Sequence, residues 1–457
     1  MITGHFLGRF GRARRPRSRT VPEELNEVFA RAELARCALV GWSEPEVDAL
    51  VDRVATGFAA RAGHFAGMAV AETGMGVVED KTTKNLFASL TVADFMRGRP
   101  GTGLWRQDGG LIELAEPVGV VLGILPATNP AATLIFKTLI CLKSRNALVV
   151  RCHRLAQGVT AAVVELIRGM LRDHGAPDDL VQLLPGAGHR GVTMLAMRHT
   201  MVSLILATGS ERLVRAAQMS GNSAIGVGAG NAPVLVAADA DLARTARLVV
   251  GSKSFDNGII CGSENNLVVM RTIRSAFEAA LEREGGAVLS PAECRRLMPV
   301  AFEPSGALRP CVLGRSAEAT ATAARIARPY PIRLLVAPAT VDGVLGPICR
   351  EKLAPIVSLS EAASEEAALA LCERILANGG AGHTAIVHSR DSELCLRFAR
   401  RVRASRILVN APGAQGCIGI GNGLAPSLTL GCGTWGGGLV TDNVNYTHLF
   451  NIKRLAA

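Results

Sequence analysis

The apolar positions of this chain fall into short continuous runs separated by amphipathic stretches, the pattern of buried parallel strands joined by crossover helices. Gly119-Val-Val-Leu-Gly-Ile-Leu125 and Ala147-Leu-Val-Val150 are continuous and rich in branched residues rather than alternating, which suits strands covered on both faces. Between them, residues 130–143 carry helical periodicity over the length of a crossover. Leu180-Val-Gln-Leu-Leu184 and Met201-Val-Ser-Leu-Ile-Leu206 repeat the pattern, with a helix predicted over 156–171. Such a doubly wound unit is the usual home of a dinucleotide. Ahead of it, Val21-Pro-Glu-Glu and Ser43-Glu-Pro-Glu-Val-Asp open helices, with acids in the first turn and Ser43 as N-cap. A second set follows, with helices over 244–252, 273–284 and 365–377. Its strands are the run after Cys261 and residues 332–336, 384–387 and 406–409. The expectation is an α/β protein of two doubly wound domains. A dinucleotide-binding domain spans 21–235 and a catalytic domain 236–430, with a basic disordered tail over 1–20 and a C-terminal return segment over 431–457.

Composition narrows the class. A chain of 457 residues can hold two domains with large cores, and its 49% hydrophobic content with only 4% aromatics favours small aliphatic packing of helix on sheet. No uninterrupted apolar run reaches the roughly 20 residues of a membrane span. Eleven cysteines occur with no CxxC pair and none at zinc-ligand spacing with histidine, so no metal site is expected and a reduced cytoplasm is. The net charge of +11 suggests nucleic acid, but Arg9, Arg12, Arg14, Arg15, Arg17 and Arg19 carry six of those charges. Without them the excess is +5, ordinary for this size, and no nucleic-acid partner is expected. The arginine stretch reads as a solvated tail or as a docking tail for an acidic surface or protein shell.

Two local patterns carry chemistry. Phe255-Asp-Asn-Gly-Ile-Ile-Cys261 sets one cysteine just past a Gly-softened polar turn and ahead of the apolar run Leu267-Val-Val-Met270. A thiol there can meet substrate while its backbone stays rigid, as a nucleophile requires, although lone cysteines are more often small buried hydrophobes. No GxGxxG follows the first strand. Instead Ala207-Thr-Gly-Ser210 follows a strand and opens a helix over 211–219, leaving amide groups free for a pyrophosphate.

The cysteine stretch resembles the nucleophile motif of the aldehyde dehydrogenase superfamily, in its CoA-acylating branch. Further blocks match in order: Glu72-Thr-Gly-Met-Gly76 with Val78-Glu-Asp-Lys-Thr-Thr-Lys-Asn85, and the stretch from Pro117 through Pro126-Ala-Thr-Asn-Pro130. The others are Leu206 to Ser210 with Ala224 to Pro233, and Leu424 to Gly437. The resemblance covers 70–453. It implies Cys261 as nucleophile and Asn129 as oxyanion donor. It also implies Thr208, Gly209 and Ser210 on the dinucleotide phosphates, Glu351 on the nicotinamide ribose, and Pro126 and Thr128 in the cofactor site. NAD is the implied cofactor, with NADP open, and coenzyme A the implied co-substrate. A small aldehyde is the implied substrate, and the implied assembly is a homodimer or homotetramer joined through strands near 104–115 and after 440, in the cytoplasm or inside a microcompartment shell.

Two departures matter. Hydrolytic relatives carry a general-base Glu in Glu-Leu-Gly-Gly, where this chain has Val227. That absence points to release by a thiol rather than by water. A hydrolytic enzyme using Glu264 as base stays open, as does a catalytically silent scaffold. His383 recurs in the branch and is read as structural or substrate-positioning. Relatives usually carry Pro-His-Pro after the second strand, where this chain has Arg151-Cys-His-Arg154. Those cations suit a ribose 2′-phosphate or the phosphates of CoA.

Overall fold

The computed structural model describes residues 20–108, 110–186, 190–339 and 346–456; the arginine stretch lies outside the described residues. The first two helices begin as their polar residues dictate. Val21–Cys37 starts on a capping box between Thr20 and Glu23, and Glu44–Ala59 on one between Ser43 and Glu46. Each box satisfies donors that a helix start leaves orphaned.

Strands β1 (Gly103–Asp108) and β2 (Leu111–Pro117) form an antiparallel hairpin. The next five strands, β3 (Val120–Ile124), β4 (Ala147–Arg151), β5 (Val181–Leu183), β6 (Val202–Thr208) and β7 (Ala224–Val227), form a parallel sheet in the order β5-β4-β3-β6-β7. β3 and β4 are fully buried, which is why their sequences are continuous rather than alternating. The helix between them, Pro130–Lys143, is buried along its whole length, because helices Glu44–Ala59 and Gln157–Asp173 cover it in turn.

The chain then builds β8 (Ala232–Val236), β9 (Glu264–Met270), β10 (Gly286–Val288), β11 (Leu334–Pro338), β12 (Ile356–Ala362), β13 (Gly382–His388) and β14 (Ala404–Val409). These make a second parallel sheet, ordered β10-β11-β12-β9-β8-β13-β14. The strand that ends at the expected division near 235 is therefore itself a member of the second sheet. β15 (Phe450–Ala456) returns to pair antiparallel with β2. The two doubly wound sheets are as expected, and the segments at 104–115 and after 440 meet in one small sheet.

In the first sheet the chain steps from β3 to β4 and β5 on one side, then crosses to β6 and β7 on the other. The gap between the carboxyl ends of β3 and β6 is the switch point where such sheets open a crevice. Lys137 marks it. Its buried ammonium donates to the carbonyls of Ile124 (2.8 Å) and Leu206 (2.7 Å) and to Thr208 Oγ1 (3.2 Å).

Candidate active site

A cleft of about 1070 Å³ lies between the carboxyl ends of β3, β4, β6 and β7 and the segments leading into β9 and β12. Of the residues singled out from the sequence, Pro126, Thr128, Asn129, Thr208 to Ser210, Cys261 and Glu351 line it, and Glu264 and His383 do not. Two residues on opposite sheets thus face one space, although Asn129 and Cys261 are 132 positions apart.

Cys261 is half-buried at the floor, and the turn that presents it is unusual. Asp256, Asn257 and Gly258 all have left-handed backbone, with φ of 47°, 53° and 73°. Two consecutive non-glycine residues in that region are strained, and the strain is held by contacts from Gly76 to Lys84. Asp256 accepts from the Val77 amide (2.7 Å), from Lys81 Nζ (3.1 Å) and from Lys84 Nζ, while its own amide donates to Asp80 (2.7 Å). A Cβ at Gly76 would lie 2.0 Å from the Asp256 carboxylate. The early Glu72-to-Asn85 block is therefore the clamp on the nucleophile's turn. Glu72 itself accepts from the amides of Gly158 and Val159, both at 2.8 Å, capping the 157–173 helix.

Lys84 reaches further. It also donates to Asn129 Oδ1, which turns the Asn129 amide nitrogen toward Ile259, whose carbonyl oxygen lies 3.2 Å away. Ile259 stands two residues before Cys261, so the side-chain N–H donors of Asn129 face the thiol's loop. Lys81 donates to the carbonyl of Thr128 (2.7 Å), and burial beside Lys84 pushes its ammonium down to about 7. Neither lysine stands out in the sequence, because a helix of mixed charge reads as a solvated face.

His383, on β13, contacts the thiol directly, with Nε2 3.1 Å from Cys261 Sγ. Nδ1 lies 2.9 Å from Thr384 Oγ1. If Nδ1–H donates to that oxygen, Nε2 is left to accept the thiol proton. Burial, aided by the Arg406 guanidinium, pushes the imidazole down to about 3. Burial also pushes the Cys261 thiol well above its ordinary value. The resting pair is a neutral thiol beside a neutral imidazole.

Glu351 accepts from the Gly230 amide at 2.7 Å, and desolvation raises its carboxyl to about 7. Gly230 passes so close to the nucleophile that a Cβ there would sit 1.8 Å from the Cys261 carbonyl oxygen. Thr208, Gly209 and Ser210 form the turn into the 211–218 helix, with Ser210 as N-cap. The Gly209 amide donates to the Val227 carbonyl (3.4 Å) and the Leu213 amide to Ser210, so the donors that suit a pyrophosphate are the first amides of the helix itself. Among the described residues, Glu351 is the one carboxylate lining the cleft.

Glu264 is not available as a base. It is fully buried, takes hydrogen bonds from Ser252 Oγ and the Gly413 amide (both 2.6 Å), and does not line the cleft. Burial raises its carboxyl to about 7, and a group turned into the protein serves the 413 loop rather than a water molecule. Val227 does line the cleft, so the position of the hydrolytic glutamate holds an apolar wall. No cluster of metal-ligating side chains occurs among the described residues. No helix among them is long and apolar enough to cross a membrane.

Comparison with known proteins agrees with this geometry. The profile of the Aldehyde dehydrogenase family matches residues 17–287. The chain is 37% identical over 440 residues to the bifunctional aldehyde-alcohol dehydrogenase of Escherichia coli, covering 95% of this chain and 49% of that one. It is 35% identical over 444 residues to the sulfoacetaldehyde dehydrogenase (acylating) of Cupriavidus necator, covering 95% of this chain and 89% of that one. Its fold superposes on the crystal structure of an acetylating aldehyde dehydrogenase from Geobacillus thermoglucosidasius with a TM-score of 0.92 at 38% identity, covering 96% and 97% of the two chains. The chain spans about half the length of the bifunctional relatives it matches. A profile match over more than half of its residues, on a fold and cleft of this form, makes the chain a member of the aldehyde dehydrogenase family.

Proposed function

We propose that the chain is a CoA-acylating aldehyde dehydrogenase acting on a short aldehyde. The observation that carries this reading is the wall around Cys261: a nucleophile with a proton acceptor and an oxyanion donor, and an apolar Val227 at the position where hydrolytic relatives carry their base. The names of its acylating and acetylating relatives support it.

Cys261 Sγ adds to the carbonyl carbon as its proton passes to His383 Nε2. The new oxyanion is met by Asn129 Nδ2 and the Cys261 backbone N–H. One such donor is worth about 2.7–4 kcal/mol in the transition state. A dinucleotide fits the cleft: the Thr208-Gly209-Ser210 turn and the helix start it opens face its phosphates, Glu351 accepts from its ribose hydroxyls, and Pro126 and Thr128 border its path. Once bound, NAD or NADP supplies a hydride acceptor and a positive charge that favours thiolate over thiol. Cys261 is then left as an acyl-thioester. Water is a poor nucleophile without a base, and the thiol of coenzyme A takes the acyl group instead, with Cys261 leaving. The balance is aldehyde, CoA and oxidised cofactor to acyl-CoA, reduced cofactor and a proton.

Assembly into a dimer or tetramer is supported by the small β1-β2-β15 sheet, whose strand β1 is exposed along nearly all its length. The test of the reaction is formation of reduced nicotinamide from acetaldehyde, propionaldehyde and sulfoacetaldehyde, with and without CoA. CoA-dependent product supports the proposal. CoA-independent oxidation would support a hydrolytic enzyme instead, and no product with any aldehyde a silent one.

A further inference from the structure

The far end of the cleft has a chemistry the reaction does not use. Arg151 is the last residue of β4, and its side chain lines the cleft although only 9% of the residue is exposed. Its Nε donates to Thr193 Oγ1 at 2.5 Å, while Nη1 is buried with no hydrogen-bond partner among the described residues. Around the same wall stand Arg154, Arg190 and Arg212. None of the four arginines has a carboxylate partner among the described residues, whereas fifteen other arginines do. His153, between Arg151 and Arg154, is held below its ordinary value by burial and by both arginines.

A guanidinium shut away from water without an anion is costly. Its position indicates which anion. A dinucleotide site holds the adenosine ribose with an acid where its 2′-hydroxyl is free, and with an arginine where it carries a phosphate. Arg212 stands two residues past the Thr208-to-Ser210 turn proposed for the pyrophosphate, Arg151 lines the same cleft, and no acid occurs from Ala147 to Ala156.

We propose that Arg151, assisted by Arg154 and Arg212, is a subsite for a phosphomonoester carried on an adenosine ribose. Two ligands of the proposed reaction carry that group: NADP at the ribose 2′ position and coenzyme A at the 3′ position. The inference rests on the reading of the cleft as a dinucleotide and CoA site, and its test separates the two.

Titration calorimetry of the intact protein with 2′,5′-ADP, 3′,5′-ADP and 5′-AMP needs no turnover. At least one bisphosphate should bind about tenfold or more tightly than AMP, the scale of one charge-assisted hydrogen bond. Arg151→Gln should erase that difference. Arg154→Gln, at an exposed position, should reduce it by a smaller factor, which guards against a misfolded Arg151 variant. In turnover, loss of the NADP-over-NAD preference in kcat/KM identifies the nicotinamide cofactor as the source. Loss of the CoA-over-dephospho-CoA preference identifies CoA. Arginine-dependent binding of a bisphosphate by a protein with no aldehyde activity would keep the subsite and sink the proposed reaction. Equal binding of all three nucleotides, or a bisphosphate preference unchanged in both variants, would overturn the subsite.

Discussion

The two ends of the cleft are built on opposite plans. At the floor, charged and polar groups have partners: Asp256 is met by two lysines, Asn129 by Lys84, and His383 by Cys261 and Thr384. At the β4 end, arginines stand without counter-charges among the described residues, one of them nearly buried. A site for covalent chemistry must hold its atoms before substrate arrives, because reorganisation during reaction erodes transition-state stabilisation. A site for a polyanion instead keeps its charges uncommitted, so that the ligand completes them. The difference teaches where substitution should stop turnover and where it should change only the choice of ligand.

The largest effect belongs to the floor. Cys261→Ala should abolish aldehyde oxidation while nucleotide binding persists, since the thiol alone forms the acyl intermediate. The other ten cysteines should each be dispensable for chemistry. Activity retained in Cys261→Ala, with loss in another single-cysteine variant, would end the assignment of the nucleophile.

His383→Ala should lower kcat by about 10²- to 10⁴-fold, the range for a positioned proton acceptor, with KM for the cofactor little changed. Because the imidazole is held near 3 and the thiol well above its usual range, neither group titrates near neutrality in the free enzyme. Alkylation of Cys261 by iodoacetamide should therefore keep rising with pH above neutrality. The same depressed imidazole sets a sign for stability. Its contribution is complete above the unfolded value near 6.5, and is lost as pH falls toward 3. A plateau in alkylation near neutral pH would mean a preformed thiolate–imidazolium pair.

Asn129→Ala should lower kcat by about 100- to 1000-fold with the fold intact. Lys84→Met should reproduce part of that loss, about tenfold or ~1.4 kcal/mol, by freeing the Asn129 amide to rotate. A change below about fivefold in Asn129→Ala, far short of one oxyanion donor, would reduce Asn129 to a turn residue.

How far the sequence carried this picture depends on locality. The helices at 130–143 and 365–377 match their predicted spans to the residue, because periodicity and end signals lie within the helix itself. β12 was not legible. Ser358 and Ser360 interrupt its apolar run, yet both are buried, and Ser358 Oγ donates to Asn266 Oδ1 at 2.7 Å. A polar residue satisfied by a neighbouring strand resembles a surface residue until the pairing is known. The same holds at the site. Cys261 and Asn129 announce themselves by local motif, whereas His383 lies 122 residues from its thiol, on β13. Lys84 acts through Asp256 and Asn129, contacts that no local spacing encodes.

The smallest effect is expected from the N-terminal arginine stretch. Removing residues 1–19 should leave kcat and KM unchanged, because a run of arginines cannot pack a core. Thr20 is kept, since its backbone amide donates to Glu23 at 2.8 Å in the first helix's capping box. Deletion then distinguishes two roles for the tail. If it docks the enzyme to a shell or another acidic surface, the truncated protein should leave particulate fractions with its kinetics intact. If it is merely solvated, neither property should move. A rise in KM for CoA or NADP would instead place its arginines beside Arg151 in the polyanion end of the cleft, and the contrast between the two ends would then extend to a segment far from both in sequence.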